Sequence, residues 1–201
     1  MALISPADTP PPPSVLDVAY KEWAGICRAL GSGRQTILLR KGGVLESPSG
    51  FRPEYSAFWL YPTHLHETQQ GLREPETDDS PRFPEGHIDL ELLAAVETAT
   101  WLDRKEGLEA LQPFHAWTEA TVQSRFDYRT PGLWVLSVRV YRHAPAWPIE
   151  VTPHHMGCKT WVTLDEPLPV YPIHPVLSED EAATRRQTLA LALSSVASET
   201  N

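Results

Sequence analysis

The stretch Leu133-Trp134-Val135-Leu136-Ser137-Val138-Arg139-Val140-Tyr141 is the clearest secondary-structure signal in this sequence. It is rich in aliphatic and aromatic side chains and contains no glycine or proline, which predicts a β-strand within a sheet. Shorter apolar runs, bounded by turn residues, predict further strands on either side of it. These further strands are expected over 35–40, 44–46, 57–61 and 87–102.

Helical spacing of apolar residues occurs near both ends of the chain. Over 14–30, seven apolar residues recur three or four positions apart, and Ser14 and Asp17 stand in the spacing of a capping box. We therefore predict a helix over about 14–30 and a second one over about 178–198, capped by Ser178-Glu179-Asp180-Glu181. Shorter helices are expected over 64–70, 103–111 and 117–125. The apolar residues of the two long helices are Leu16, Ala19, Tyr20, Trp23, Ile26, Cys27 and Leu30, then Leu189, Leu193 and Val196.

Proline makes up 20 of the 201 residues, roughly twice its average ~5% share. Four prolines end the segment 1–13, which we expect to be a flexible leader, and others interrupt 144–176, which we expect to run as edge strand and loop. The acidic segment 74–86 is expected to be a mobile loop. The remaining boundaries give a core domain over 14–177 and a C-terminal helix and tail over 178–201.

This order of elements predicts one α+β domain. Its centre would be a mixed, mostly antiparallel sheet or a partly open barrel, with an N-terminal and a C-terminal helix. The formal net charge is -9 and the pI about 5.3, which argues against a protein that coats nucleic acid through bulk charge. No window approaches the ~18 consecutive apolar residues of a membrane-spanning helix. Without an export signal, Cys27 and Cys158 are expected to be reduced thiols in the cytoplasm.

A local reversal of charge marks the first candidate site. No acidic residue lies between Glu22 and Glu46, whereas four cations do. The turn Lys41-Gly42-Gly43 adds backbone N–H groups of the kind that bind anions, although it lacks the spacing of a Walker loop. A hairpin turn flanked by solvated cations is the alternative interpretation, and the pattern leaves both open. The four cations are Arg28, Arg34, Arg40 and Lys41.

Histidines mark the second candidate site. His64 and His66 can line a polar pocket as hydrogen-bond donors or as a general base. Two nitrogens do not complete a metal site, and the adjacent His154 and His155 cannot both point to one ion from regular backbone, so no metal is predicted. No cofactor motif is present either.

A third segment, 157–161, places Cys158 beside Lys159, an arrangement that can lower the pKa of a thiol. No Cys-His-Asn spacing accompanies it, so a structural turn at Gly157 is the preferred interpretation. The sequence also contains no GxSxG, HExxH, CxxC or kinase signature, which argues against standard hydrolase, zinc protease, redox and phosphotransfer functions.

Three blocks of the chain carry a family resemblance, namely Tyr20–Val44, Phe58–His66 and Gly157–Val162. They resemble a bacterial family known as domain of unknown function 1802. The resemblance implies a loose link to DNA modification or defence, because members are associated with restriction-endonuclease domains. A weaker likeness, to PUA-like and ASCH folds, implies a cleft for nucleotides or RNA beside a turn such as Gly33-Arg34 and a strand ending in Arg40.

The leading hypothesis is a module that binds a phosphate-bearing small molecule or nucleic acid. The second hypothesis is a metal-dependent nuclease or phosphoester hydrolase that uses His64, His66, Glu22 and Lys41. The third is an accessory protein-interaction module, and no membrane partner is expected. The residues predicted to bind the ligand are Lys21, Arg34, Arg40, Lys41, Gly42, Gly43, His64, His66 and Lys159.

Overall fold

A computed structural model of the chain describes residues 11–41, 55–63, 71–74, 86–157 and 159–198. In this part of the chain, seven strands form one sheet and four α-helices pack around it. The strands are β1 (Val15–Trp23), β2 (Ile37–Arg40), β3 (Ala57–Thr63), β4 (His87–Leu102), β5 (Leu133–Glu150), β6 (Trp161–Pro169) and β7 (Ile173–Pro175). The helices are α1 (Ala24–Gly31), α2 (Gly107–Ala110), α3 (Glu119–Asp127) and α4 (Glu179–Ser198).

The strands follow the order β2-β5-β4-β3-β1-β6, and β7 pairs with β5 beside this path. The pair of β1 and β3 is parallel, while the other pairs are antiparallel. No strand pairing among the described residues joins β2 to β6, so the sheet is open. The structure therefore confirms the α+β class with a mostly antiparallel sheet, and this sheet does not close into a barrel.

The predicted N-terminal helix is wrong over its first half. Residues 15–23 form β1, and only Ala24–Gly31 is helical, so Ser14 and Asp17 cap no helix. β1 lies between β3 and β6 and is buried on both faces: Tyr20 belongs to the larger core and Ala19 to the smaller one. A strand covered on both faces does not need to alternate polar and apolar residues. The apolar residues of β1 could therefore have the spacing typical of a helix.

The two longest strands confirm the strand predictions for 87–102 and 133–141. β5 continues beyond Tyr141 to Glu150, and its last part pairs with β4 across a bulge. Leu90 lies opposite Trp147 and Leu92 opposite Arg142, so the residues around the Ala144–Pro145 peptide bond are left out of the pairing. The bulge thus accommodates Pro145 within a strand.

Three further helical predictions are confirmed with shifted ends. α2 lies within the expected 103–111, α3 overlaps 117–125, and α4 matches 178–198. Ser178 caps α4 as predicted: its Oγ accepts from the backbone N–H of Glu181, and Glu181 Oε2 accepts from the N–H of Ser178. Within the described residues, no helix is long and apolar enough to cross a membrane.

Two hydrophobic cores lie on the sheet. The larger core receives side chains from all four helices, among them Ile26, Leu108, Phe126 and Leu189. The smaller core contains residues such as Ala19, Trp59 and Val162 from the other face of β1, β3 and β6. Several predicted segments lie outside the described residues, namely 1–10 of the leader, the strand over 44–46, the helix over 64–70 and 75–85 of the acidic loop.

Candidate functional site

Arg40 ends β2 and connects two strands that lie at opposite ends of the sheet order. Its Nη2 donates a hydrogen bond to Thr160 Oγ1 at 2.5 Å, and its guanidinium lies 5.2 Å from the centre of the Tyr20 ring. Thr160 immediately precedes β6, whose first residue Trp161 pairs with Tyr20. The sheet is therefore curled so that the end of β2 comes next to the start of β6, although no backbone pairing links the two strands.

A second arginine reaches the same place from α3. The guanidinium of Arg125 lies 4.6 Å from the rings of both Trp23 and Trp117, and its Nη1 donates to the carbonyl oxygen of Leu39 at 3.3 Å. Burial lowers the pKa of Arg125, the charge of Glu22 raises it, and the charge of Arg40 lowers it again. Arginine keeps its proton in proteins, so Arg125 is a cation held between two aromatic rings.

Glu22 supplies the negative charge at this position. Its side chain is 4% exposed, and Oε1 accepts a hydrogen bond from the backbone N–H of Trp23 at 2.8 Å. The other oxygen, Oε2, is buried and has no hydrogen-bond partner among the described residues. The charge of Glu22 thus acts on Arg125, and Arg40 is close enough to lower the pKa of Arg125. We call this group the seam cluster; it consists of Tyr20, Glu22, Arg40, Arg125 and Thr160.

Lys21 and Lys159 lie near the seam cluster in sequence but make other contacts. Because side chains alternate along β1, Lys21 points to the face opposite Tyr20. Its Nζ donates to the carbonyl oxygen of Gly157 at 3.0 Å and lies 5.6 Å from the centre of the Tyr61 ring. Lys159 Nζ lies 3.5 Å from the carbonyl oxygen of His154. Neither lysine contacts the seam cluster through its ammonium group in these interactions.

Two further cations of the basic stretch, Lys41 and Arg34, make contacts with different parts of the chain. Lys41 Nζ donates to the carbonyl oxygens of Phe126 and Thr130, and burial lowers the pKa of this lysine. Lys41 therefore anchors the loop after α3 next to the seam cluster. Arg34 donates to Ser32 Oγ at 3.2 Å and pairs with Glu74 at 3.6 Å, contacts that involve none of the seam residues.

Four predicted ligand residues, Gly42, Gly43, His64 and His66, lie outside the described part of the chain, as does Cys158. The described residues contain no group of three or more His, Cys, Asp or Glu side chains that could hold a metal ion. Cys27 is buried, and burial together with the charge of Glu22 raises the pKa of its thiol well above the usual value. A thiol in that environment stays protonated and is a poor nucleophile.

Sequence reasoning missed Arg125 and Thr160. The helical spacing of apolar residues could have identified Arg125. Helix α3 buries Val122 and Phe126, and Arg125, three positions after Val122, lies on the same face of the helix. A cation in that position requires an aromatic or acidic neighbour. No local pattern identified Thr160, because its contact with Arg40 spans 120 positions of the sequence.

A comparison with known protein families shows where this chain belongs. The family model for the domain of unknown function DUF1802 matches residues 19–188, a range that includes the whole seam cluster. The chain belongs to the DUF1802 family. This confirms the resemblance of the three sequence blocks. Among curated protein sequences, none matches this DUF1802 domain.

Solved structures similar to this DUF1802 domain include ASCH from Zymomonas mobilis, at 13% identity and a TM-score of 0.42, with 86% of this chain and 92% of that chain covered. A serine-to-alanine mutant of the Zymomonas mobilis protein is 14% identical, with a TM-score of 0.42 and coverage of 89% and 99%. These likenesses are too distant to transfer a property to this chain.

Proposed function

We propose that this DUF1802 domain is a cytoplasmic protein that binds a phosphate-bearing ligand, a nucleotide or nucleic acid, at the seam cluster. The observation that carries the proposal is the proximity of Arg40 to Arg125, with Glu22 close to Arg125. A phosphate group bound there would lie beside the guanidinium groups of Arg40 and Arg125. In a chain of net charge -9, such a group of cations is a local exception.

The arginines are suited to this role because they are already oriented. Arg40 is held by Thr160 and by the Tyr20 ring, and Arg125 is held between two tryptophans. A guanidinium offers paired N–H donors that match the oxygens of a phosphate. Because their side chains are fixed before binding, less conformational entropy is lost on binding. Among the predicted ligand residues, Lys41 adds charge beside Arg40, and His64, His66, Gly42 and Gly43 remain predicted members of the pocket.

The decisive experiment replaces Arg40 by alanine. Loss of a charged hydrogen bond to phosphate is expected to weaken binding of a labelled oligonucleotide or a nucleoside monophosphate about tenfold to a hundredfold. Arg34→Ala is the matched control, since it removes the same side chain from a place that contacts Ser32 and Glu74. Anisotropy titrations and calorimetry measure both variants. Equal affinities of Arg40→Ala and the unsubstituted protein would contradict the proposal, provided that thermal melting shows both to be folded.

A phosphoester hydrolase is the second candidate, and Glu22 is the observation that favours it. A buried carboxylate oxygen without a partner among the described residues can act as a general base once a ligand reaches it. Purified protein should then cleave oligonucleotides, and Glu22→Gln should abolish cleavage while it preserves binding. Metal analysis and cleavage with and without a chelator show whether a divalent ion takes part. Absence of turnover in all these assays would eliminate the hydrolase and leave the binding function, whether or not it serves DNA modification or defence.

A further inference from the structure

Aromatic side chains continue from Arg40 along one face of the sheet. In the register of the strands, Arg40 on β2 lies opposite Trp134 on β5, and Trp134 lies opposite Trp101 on β4. Paired residues of neighbouring strands point to the same face of a sheet. The rings of Trp101 and Trp134 are 5.5 Å apart and inclined by 63°. The three side chains therefore form a row that extends over two strand spacings, about 10 Å.

A second pair of aromatic rings lies on the other side of Arg40. Trp161 follows Thr160, the residue that Arg40 contacts, and its ring lies 5.0 Å from that of Tyr55 in an edge-to-face arrangement. Trp161 also packs against Tyr20, its register partner on β1. Arg40 thus stands between two aromatic pairs. We call the four residues Trp101, Trp134, Trp161 and Tyr55 the aromatic strip.

The aromatic strip is partly open to solvent. Trp101 is 42% exposed and Tyr55 is 39% exposed, while Trp134 and Trp161 are half-buried. An exposed aromatic residue alone is ordinary. Here each exposed ring packs against a half-buried one. The position of Trp101 is also fixed from one side: a Cβ on Gly132, whose φ is +130°, would lie 2.2 Å from its ring. The backbone therefore holds the indole in place.

Positive charge borders the aromatic strip. Lys41 is bound to the carbonyl oxygen of Thr130, and the guanidinium of Arg129 lies 5.1 Å from the ring of the exposed Tyr128 in the same loop. The nearby carboxylate of Asp127 forms an ion pair with Lys105 at 2.8 Å. Aromatic faces with cations between and beside them complement a polyanion that carries exposed planar rings.

We propose that the aromatic strip binds unpaired bases of a single-stranded nucleic acid, with the intervening phosphate at Arg40. This inference rests on the proposed function and narrows its ligand from phosphate-bearing molecules in general to single strands. Bases on a flexible strand can stack on tryptophan and tyrosine rings, and every base offers a suitable face. Bases within a duplex are already stacked on one another, so a duplex would leave the strip unused.

The test compares Trp101→Ala with the unsubstituted protein in three titrations: a labelled single-stranded oligonucleotide, a hairpin duplex of the same composition, and a nucleoside monophosphate. The substitution is expected to weaken binding of the single strand about tenfold to a hundredfold. Trp101→Phe keeps a stacking ring and should retain most of the affinity. Tyr171→Ala is the matched control, because Tyr171 is 48% exposed and contacts Pro12 instead of the strip. Photocrosslinking of an iodouracil oligonucleotide should label peptides that contain strip residues.

The outcomes separate the two proposals. Three results would each overturn the proposal that the aromatic strip binds unpaired bases. They are equal affinity of Trp101→Ala and the unsubstituted protein for the single strand, equal or tighter binding of the duplex, and crosslinks confined to other peptides. In those cases, monophosphate binding that still depends on Arg40 would leave the proposed function standing. If the unsubstituted protein binds neither oligonucleotides nor the monophosphate, both proposals are overturned.

Discussion

His115 is a buried histidine close to two arginines. It is 2% exposed, and neither ring nitrogen has a hydrogen-bond partner among the described residues. Burial, together with the charges of Arg73 and Arg125, lowers its pKa to about 4. Arg73 donates to the carbonyl oxygen of His115, so the cation is fixed close to the ring. The folded protein therefore contains a neutral imidazole throughout the weakly acidic range.

This environment predicts a loss of stability below about pH 6.5. In the unfolded chain His115 takes up a proton near pH 6.5, but in the folded protein it does so only near pH 4. Between these values the unfolded state binds more protons, so the free energy of unfolding falls as the pH falls, by about 3 kcal/mol in total. Urea unfolding at several pH values measures this slope. His115→Phe should reduce it, whereas substitution of the exposed His174 by glutamine should leave it intact.

At the residue scale, the sequence pointed to part of the site. The absence of acids around Arg40 was visible in the sequence, and Arg40 does contact Tyr20 and Thr160. The same reasoning grouped Lys21 with Arg40, but strand alternation turns Lys21 to the opposite face. A helix over residues 15–23 would turn their side chains in directions different from those of a strand. Only the structure therefore shows which cations lie on which face of the sheet.

Helix α4 is attached to the sheet by ion pairs that begin at a bulge in β4. Glu97, at the register shift between Val96 and Thr98, accepts from Arg186 at 2.8 Å and from Ser137 at 3.2 Å. Arg186 also pairs with Glu179, which Arg139 contacts in turn. The charged groups between helix and sheet thus neutralise one another, which identifies this contact as structural.

Removal of Arg186 should therefore destabilise the protein. Arg186→Ala leaves Glu97 buried without its cation, and breaking a buried pair costs about 3 kcal/mol. Arg185→Ala is the control, because the Arg185 side chain donates a hydrogen bond to the backbone carbonyl oxygen of Pro113 and not to a carboxylate. The double variant Glu97→Gln with Arg186→Met should recover much of the loss, since no unpaired charge remains. Similar midpoints of urea unfolding for Arg186→Ala and Arg185→Ala would refute this account of the helix.

Element by element, prediction succeeded where the determinants are local. The run 133–141 and the cap at Ser178 need only neighbouring residues, and both are present as predicted. The prediction for residues 15–23 was wrong because the conformation of β1 depends on its pairing with residues 57–63 and 161–169, which are distant in the sequence. Partners distant in the chain override local spacing in such a strand.

The whole molecule has a net charge of -9, so phosphate can be attracted only by local groups of cations. The dependence of the binding affinity on salt concentration therefore tests which cations contact the ligand. Binding through the seam cluster and Lys41 would involve about three phosphate contacts, so the logarithm of the affinity for a single strand should fall with the logarithm of salt concentration with a slope of about -2. Arg40→Ala should reduce this slope by about 0.7, and Arg34→Ala should not change it. A slope that is the same for Arg40→Ala and the unsubstituted protein would show that phosphate binds elsewhere.

The central position of β1 has a consequence for synthesis on the ribosome. Tyr20 pairs with Leu60 on one side but with Trp161 on the other, so the second partner emerges long after the first. At typical rates of translation the delay is on the order of ten seconds. During this interval one edge of β1 has no partner strand, and such edges promote association between nascent chains. A translation product that ends before β6 would keep this edge open permanently, and we expect it to require chaperones and to be degraded rapidly.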